Sequence, residues 1–106
     1  MRVSDLKKQT RKVQVSWEGE TFEVEYKLNT VTDEFLSGLA AIEDYDQNLS
    51  HQLETIVVRW EILDDDGKEV PPSPDFIRST LSRPLKLTIL DAIREDMRPE
   101  KEKVKN

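Results

Sequence analysis

The feature that most constrains the fold is a run of alternating apolar and polar residues at positions 11–27, interrupted once by Glu18–Glu20. Apolar residues separated by single polar residues are typical of a strand with one buried face, and the interruption indicates a hairpin turn. A two-residue turn at Gly19–Glu20, with glycine first as a type II′ turn prefers, would pair Trp17 with Phe22. In that register one face of the hairpin holds the apolar side chains of the run, which are Val13, Val15, Trp17, Phe22, Val24 and Tyr26. Two strands alone are only marginally stable, so the rest of the chain must cover this face.

Segments after the hairpin show the three-to-four-residue spacing of apolar side chains that an amphipathic helix requires. Their predicted starts are Thr30 or Thr32, Ser50, Ser73 and Arg83. Serine and threonine are favoured helix caps, and Pro74 and Pro84 fit the first turns of the last two helices. The sequence therefore predicts an α+β fold, an N-terminal β-hairpin followed by a small bundle of about four amphipathic helices.

One stretch, residues 55–63, fits two structures. The helical spacing that begins at Leu49 continues through it, which favours a helix. The same residues are rich in β-branched side chains, and a strand would place Ile56, Val58 and Trp60 on one face. A helix that unwinds after Trp60 into a short extended piece would satisfy both patterns, so helix and strand both stay open.

Length and charge divide the chain into three parts. A chain of 106 residues is one domain by size. We predict that this domain comprises residues 11–98, with the hairpin at 11–27 and the helical part at 30–98. Residues 1–10 are predicted to be a flexible basic lead-in, and residues 99–106 a charged flexible tail.

The charges are distributed unevenly. Residues 1–12 have five basic side chains and one acidic side chain. Residues 98–106 have four basic and two acidic side chains. Because the whole chain has a net charge of −6, residues 13–97 must have −12. An acidic body repels phosphate, which argues against binding to nucleic acid. No apolar run approaches the ~20 residues that a membrane span needs, so we expect no membrane partner.

The sequence contains no catalytic or metal-binding constellation. There are no cysteines, and the single histidine, His51, has no serine or zinc motif around it. The acidic turn at Asp64–Gly67 is the best candidate for a calcium loop. An EF-hand with Gly67 at its sixth position would begin at Ile62 and end at Ser73, where acids are required. We therefore predict no enzyme, no metal and no cofactor.

Large apolar side chains dominate protein interfaces, and several here are candidates for contact with a partner protein. They are Trp60, Phe35, Leu39, Phe76 and Leu81. Each lies on an apolar face, so packing in the core is the alternative role. Trp60 in particular is expected to anchor the packing between the hairpin half and the helices that follow Ser73.

The motifs also follow one another in a recognisable order. A basic lead-in precedes Val13–Gly19, which has the pattern Val-x-Val-x-Trp-x-Gly, and an acidic-aromatic strand follows at Phe22–Tyr26. The apolar segment Val58–Pro71 then ends in an Asp-Gly turn and a proline, and an amphipathic helix ends with Ala92–Pro99. In this order and at this length the motifs resemble the tail assembly chaperones of long-tailed bacteriophages, over nearly the whole chain.

The resemblance implies a non-enzymatic role in tail morphogenesis. Members of that family bind the tape measure protein, a long helical phage protein, keep it soluble and recruit the major tail tube protein. The implied partners are these two proteins and further copies of the chain itself. The implied location is the host bacterial cytoplasm during assembly, with the protein absent from the mature virion. The alternative is a small acidic interaction protein, either a DNA mimic or a head-tail structural component, which the acidic body favours.

Overall fold

The structure, a computed structural model, describes residues 1–98. In chain order its elements are α1 Val3–Lys8, β1 Thr10–Trp17, β2 Glu20–Lys27, α2 Asp33–Ala40, α3 Tyr45–Ile56, β3 Val57–Trp60, α4 Pro74–Ser79 and α5 Arg83–Met97. The strands form one antiparallel sheet in the order β1-β2-β3. The predicted α+β class is confirmed. The predicted charged tail at 99–106 lies outside the described residues.

The N-terminal hairpin is confirmed, but its register differs from the predicted one by two residues. The two turn residues are Glu18 and Gly19, with φ of 49° and 82°, and Trp17 pairs with Glu20. Two successive positive φ angles are those of a type I′ turn, whose twist matches that of the strands better than other turns. Because the shift is even, the apolar side chains keep their common face, and Val13 pairs with Val24.

The open choice at residues 55–63 is resolved by a third strand. The favoured helix is wrong over Val57–Trp60, because α3 ends at Ile56 and the chain enters β3 with no loop between them. Trp60 pairs with Val24 and Val57 with Tyr26, and an irregularity in the ladder leaves Val58 as the extra, exposed residue. This bulge turns both Val57 and Trp60 toward the core, which a regular alternation would not do.

Helix starts follow local capping chemistry. The side chains of Thr32, Ser73 and Ser82 each accept a hydrogen bond from a backbone N–H in the first turn of α2, α4 and α5. The predicted start at Ser50 is wrong: α3 begins earlier, capped by Asp44, which accepts from the Gln47 N–H at 2.8 Å. Ser50 is instead buried inside that helix. The short helix α1 within the lead-in was not predicted.

The core lies between the sheet and the helices. α3 packs against α2, α4 and α5, and α5 also packs against β1. Trp60 is fully buried between the two halves of the chain, and its ring meets Phe76 edge-on at 6.0 Å between centroids. The indole Nε1 donates to the backbone oxygen of Val70 at 2.7 Å. The predicted anchoring role of Trp60 therefore matches its place in the fold.

The acidic turn after β3 folds back on itself. The backbone N–H groups of Val70 and Asp64 donate to Ile62 and Lys68, each at 2.8 Å, so residues 62–64 and 68–70 run antiparallel. The Asp64 carboxylate accepts from the N–H groups of Asp66 and Lys68. This carboxylate closes the turn, which accounts for an acid at this position without a metal.

Candidate partner-binding surfaces

An apolar groove of about 130 Å³ lies between α2, α3 and α5. Its walls are Val31, Phe35, Leu36, Leu39, Gln52, Ile56, Leu90, Ile93, Arg94 and Met97. The two polar members are bonded to each other, since Arg94 Nη2 donates to Gln52 Oε1 at 2.9 Å. The remaining wall is hydrocarbon. We call this surface the α2 groove, and its size fits one large aliphatic or aromatic side chain.

The groove exists because α2 is a short helix held mainly from one side. Asn48 Nδ2 of α3 donates to the backbone oxygen of Leu39 at 2.9 Å, and Gln52 Nε2 donates to Asn48 Oδ1 at 2.8 Å. Phe35 stacks on His51 with 6.0 Å between ring centroids. Leu39 is the one buried residue of α2. The apolar side chain of Leu36 on the same helix is 50% exposed, so apolar surface continues from the groove onto its rim.

The predicted partner residues do not form a single site. Phe35 and Leu39 line the α2 groove. Trp60 is fully buried in the core, where it offers no surface to a partner. Phe76 packs on Trp60, and Leu81 is buried beside the charged pocket described below.

Sequence reasoning missed the other walls of the groove. Leu36 follows Phe35 on the apolar helix face that the helical spacing indicates, but contact with a partner was not predicted for it. Val31 precedes the helix and Met97 ends α5, and no local pattern brings them together. Their contact depends on how α2 and α5 pack.

A larger, acidic pocket of about 550 Å³ lies at the hairpin end of the sheet. Its apolar lining comes from Trp17, Phe22, Ile62, Leu63 and Leu85, and its acids are Glu20, Glu61 and Glu69. We call this surface the hairpin pocket. An apolar floor with carboxylates at its edge suits a segment that carries both apolar and basic side chains.

Arg59 ties one acid of the hairpin pocket to the sheet. Its guanidinium donates to both carboxylate oxygens of Glu69 and, at 3.1 Å, to Glu23 Oε1. The hydrogen bonds to Glu69 and then to Glu23 raise the pKa of Arg59, and the bond from Arg59 lowers the pKa of Glu69. Both groups are therefore charged at neutral pH, and Glu69 is held beside β3.

A third pocket is charged, and its side chains bond to partners within the chain. Arg83 binds both carboxylate oxygens of Asp46, at 2.6 and 2.7 Å, and this bond lowers the pKa of Asp46. Lys86 is buried, and its Nζ donates to the Ser50 hydroxyl at 2.9 Å. The pocket walls thus form an internal network that joins α3 to α5.

Metal-ligating side chains are scattered within residues 1–98. No group of three His, Cys, Asp or Glu side chains in that part of the chain is placed to hold a metal ion. His51 lies inside α3 and stacks on Phe35. Across the same residues, every helix is too short or too polar to span a bilayer.

Comparison with known proteins adds no relative. No protein-family model, no curated protein and no solved structure matches the chain. The function must therefore be argued from these surfaces and from the order of motifs in the sequence.

Proposed function

We propose that the chain is a non-enzymatic tail assembly chaperone of a long-tailed bacteriophage. In this role it binds and solubilises the tape measure protein and recruits tail tube subunits during tail morphogenesis. It acts in the host cytoplasm and leaves before the virion is complete. The observation that carries the proposal is the α2 groove, an apolar groove open to solvent on a strongly acidic domain.

The groove suits one anchoring side chain of an amphipathic helix. Helix-in-groove recognition places apolar side chains, spaced three or four residues apart, into apolar depressions. The α2 groove accepts one such side chain, and the exposed Leu36 and Val31 extend the contact along the rim. A tape measure protein, as a long helix with much apolar surface, presents repeated side chains of this kind.

The acidic body supports the chaperone role in a second way. A net charge far from zero keeps a protein and its complexes in solution through mutual repulsion. With −6 on the whole chain, each bound copy would add negative charge to an otherwise aggregation-prone client. Apolar capture and charge repulsion together would keep the client soluble.

Co-expression with the tape measure protein encoded in the same genome tests the proposal. We expect the wild-type chain to raise the soluble yield of that protein and Leu36→Glu to abolish the effect, because a carboxylate at the rim opposes apolar docking. Ser37→Glu is the matched control, since it adds the same charge to an exposed neighbouring position outside the groove. An unchanged yield with the wild-type chain, or equal losses with both variants, would count against the proposal.

The hairpin pocket favours the second candidate, a small acidic interaction protein such as a DNA mimic or a head-tail component. Its carboxylates, Glu20, Glu61 and Glu69, would attract a basic protein surface. Binding of that kind weakens as salt screens the charges, whereas apolar docking in the α2 groove does not. Capture of a basic nucleic-acid enzyme that is lost at moderate salt would favour the mimic, and stable incorporation into purified virions would favour the structural component.

A further inference from the structure

The strand β1 forms one outer edge of the sheet and is eight residues long. In a hairpin with a two-residue turn, the residues flanking the turn exchange hydrogen bonds, and the bonded pairs then alternate along the ladder. Trp17, Val15, Val13 and Arg11 therefore bond to β2, and the backbone groups of Ser16, Gln14 and Lys12 point outward. Within residues 1–98, no backbone hydrogen bond from another segment reaches this outer side of β1.

The opposite edge of the sheet is shorter and obstructed beyond its end. The outer strand there, β3, has four residues, and the segment 68–70 folds against the extension that follows it. Arg59 holds Glu69 against this side. Pro71 and Pro72 come next, and proline has no N–H to donate to a further strand. Of the two outer strands, β1 is therefore the longer and less obstructed edge for an added strand.

We infer that two copies of the chain join through their β1 strands, antiparallel, with the two-fold axis at Val13, to form one continuous sheet across the dimer. Because a two-fold contact uses the β1 edge of both copies, it produces a closed pair and not an open fibre. The inference rests on the sheet alone and holds whether or not the chain is a chaperone.

The side chains of β1 favour this register. With Val13 on the axis, Lys12 lies opposite the partner's Gln14, and Arg11 lies opposite the partner's Val15. Like charges directly opposite each other are destabilising, and this register has none. Moving the axis to Lys12 would set Lys12 of each copy directly opposite the partner's Lys12. An axis midway between two neighbouring residues would pair side chains from opposite faces of the sheet, so that the face packed on α5 would not continue from one copy to the other.

The β1 edge differs in charge from the rest of the chain. From Leu6 to Trp17 the chain has basic residues and no acidic ones. On the strand itself a second copy would therefore meet basic and neutral side chains, although the body as a whole is acidic.

An apolar contact lies at the centre. Val13 is half-buried and lines a shallow depression at this edge of the sheet with Gln14 and with Ala92, Glu95 and Asp96 of α5. In the dimer each Val13 would face the partner's Val13. This contact covers apolar surface that a single copy leaves exposed to water.

A pair of charge variants tests the register against general electrostatics. We expect Gln14→Glu to tighten the dimer and Gln14→Lys to weaken it, each by about three- to tenfold in dissociation constant, because position 14 faces the partner's Lys12 twice per dimer. General repulsion between copies that each have a net charge of −6 predicts the reverse order of dissociation constants, since Gln14→Glu makes each copy more negative. Sedimentation equilibrium of the purified chain at low salt measures both constants. A monomer at every concentration, equal constants, or the reverse order would overturn the inference.

Crosslinking provides a second, independent readout. The chain has no cysteines, so Val13→Cys introduces a single thiol. Residues facing each other in a non-hydrogen-bonded antiparallel pair have Cβ atoms close enough for a disulfide. Mild oxidation should therefore give a covalent dimer of Val13→Cys, whereas Ser16→Cys, which faces the partner's Thr10, should stay monomeric on denaturing gels. Equal crosslinking of the two variants would contradict the proposed axis.

Discussion

Trp60 connects the two halves of the chain through three different contacts. It pairs with Val24 in the sheet, meets Phe76 of α4 edge-on, and donates from Nε1 to the backbone oxygen of Val70. Its side chain is fully buried. The indole ring therefore holds α4 and the connecting loop against the strand that carries it.

Replacing this ring should be costly. We expect Trp60→Ala to lower the free energy of unfolding by about 3–5 kcal/mol, because the cavity cannot collapse between a sheet and a helix. Trp60→Phe keeps an aromatic ring but loses the bond to Val70, so its loss should be smaller. Urea denaturation followed by circular dichroism measures both. An unchanged midpoint for Trp60→Ala would show that the ring is not part of the core.

The turn residue Glu18 has a backbone conformation that suits other residues better. Its φ is 49°, in the left-handed region that asparagine and glycine tolerate more readily. We expect Glu18→Asn to raise the free energy of unfolding by roughly 0.5–1 kcal/mol, since asparagine before glycine is the preferred type I′ pair. Glu20→Asn, outside the turn, is the control, and thermal denaturation reports the difference. A gain in the control alone would contradict this reading of the turn.

Tyr26 makes the stability of the folded chain fall at alkaline pH. Burial, and then the hydrogen bond from its hydroxyl to Asp96 Oδ2 at 2.5 Å, raise its pKa above the ordinary value of 10.0. Above about pH 10 the unfolded chain releases this proton and the folded chain keeps it, so stability falls by about 1.4 kcal/mol per pH unit. Below that pH both states keep the proton, and the full contribution is present.

Tyr26→Phe should remove this dependence. We expect the stability of the variant, measured in urea between pH 10 and 11, to fall less steeply than that of the wild type. Tyr45→Phe, at an exposed position, is the matched control and should keep the wild-type slope. Equal slopes for Tyr26→Phe and the wild type would show that the phenol is not protected in the folded chain.

At the scale of elements, the sequence predicted those features that neighbouring residues determine. The alternation at 11–27 predicted the hairpin, and the caps at Thr32 and Ser73 predicted two helix starts. The strand β3 was not separable from a helix, because its partner Val24 lies 36 positions earlier and sequence spacing does not report such pairing. Phe35 and Leu39 of the α2 groove were predicted, but Met97 was not, since it joins the groove only when α5 packs beside α2.

The helix α2 depends on few attachments, and Asn48 supplies a principal one. Its Nδ2 donates to the backbone oxygens of Leu39 and Ile42, at 2.9 and 3.5 Å. We expect Asn48→Ala to cost about 1 kcal/mol, the net value of a typical hydrogen bond, and to raise amide exchange in α2 first. Exchange in β2 should stay close to that of the wild type. A uniform rise across the chain would show that α2 and the core unfold together.

At the scale of the whole molecule, the last helix closes the core over the first strands. Val15 of β1 and Tyr26 of β2 belong to the same buried cluster as Ile89 and Ile93 of α5. Removing α5 would expose this face of the hairpin. We therefore expect a chain truncated to residues 1–82 to lack a cooperative thermal transition by circular dichroism, in contrast to the full chain. A sharp transition in the truncated chain would mean that the hairpin and α3 form a core by themselves.

The position of α5 also has a consequence during protein synthesis. The bond between Tyr26 and Asp96 joins residues 70 positions apart. A ribosome makes the chain from its N-terminus, so the aromatic face of the hairpin emerges well before the helix that covers it. During that interval the nascent chain displays an uncovered apolar sheet with an open edge. A protein whose proposed task is to shield another chain would itself pass through a stage that needs shielding.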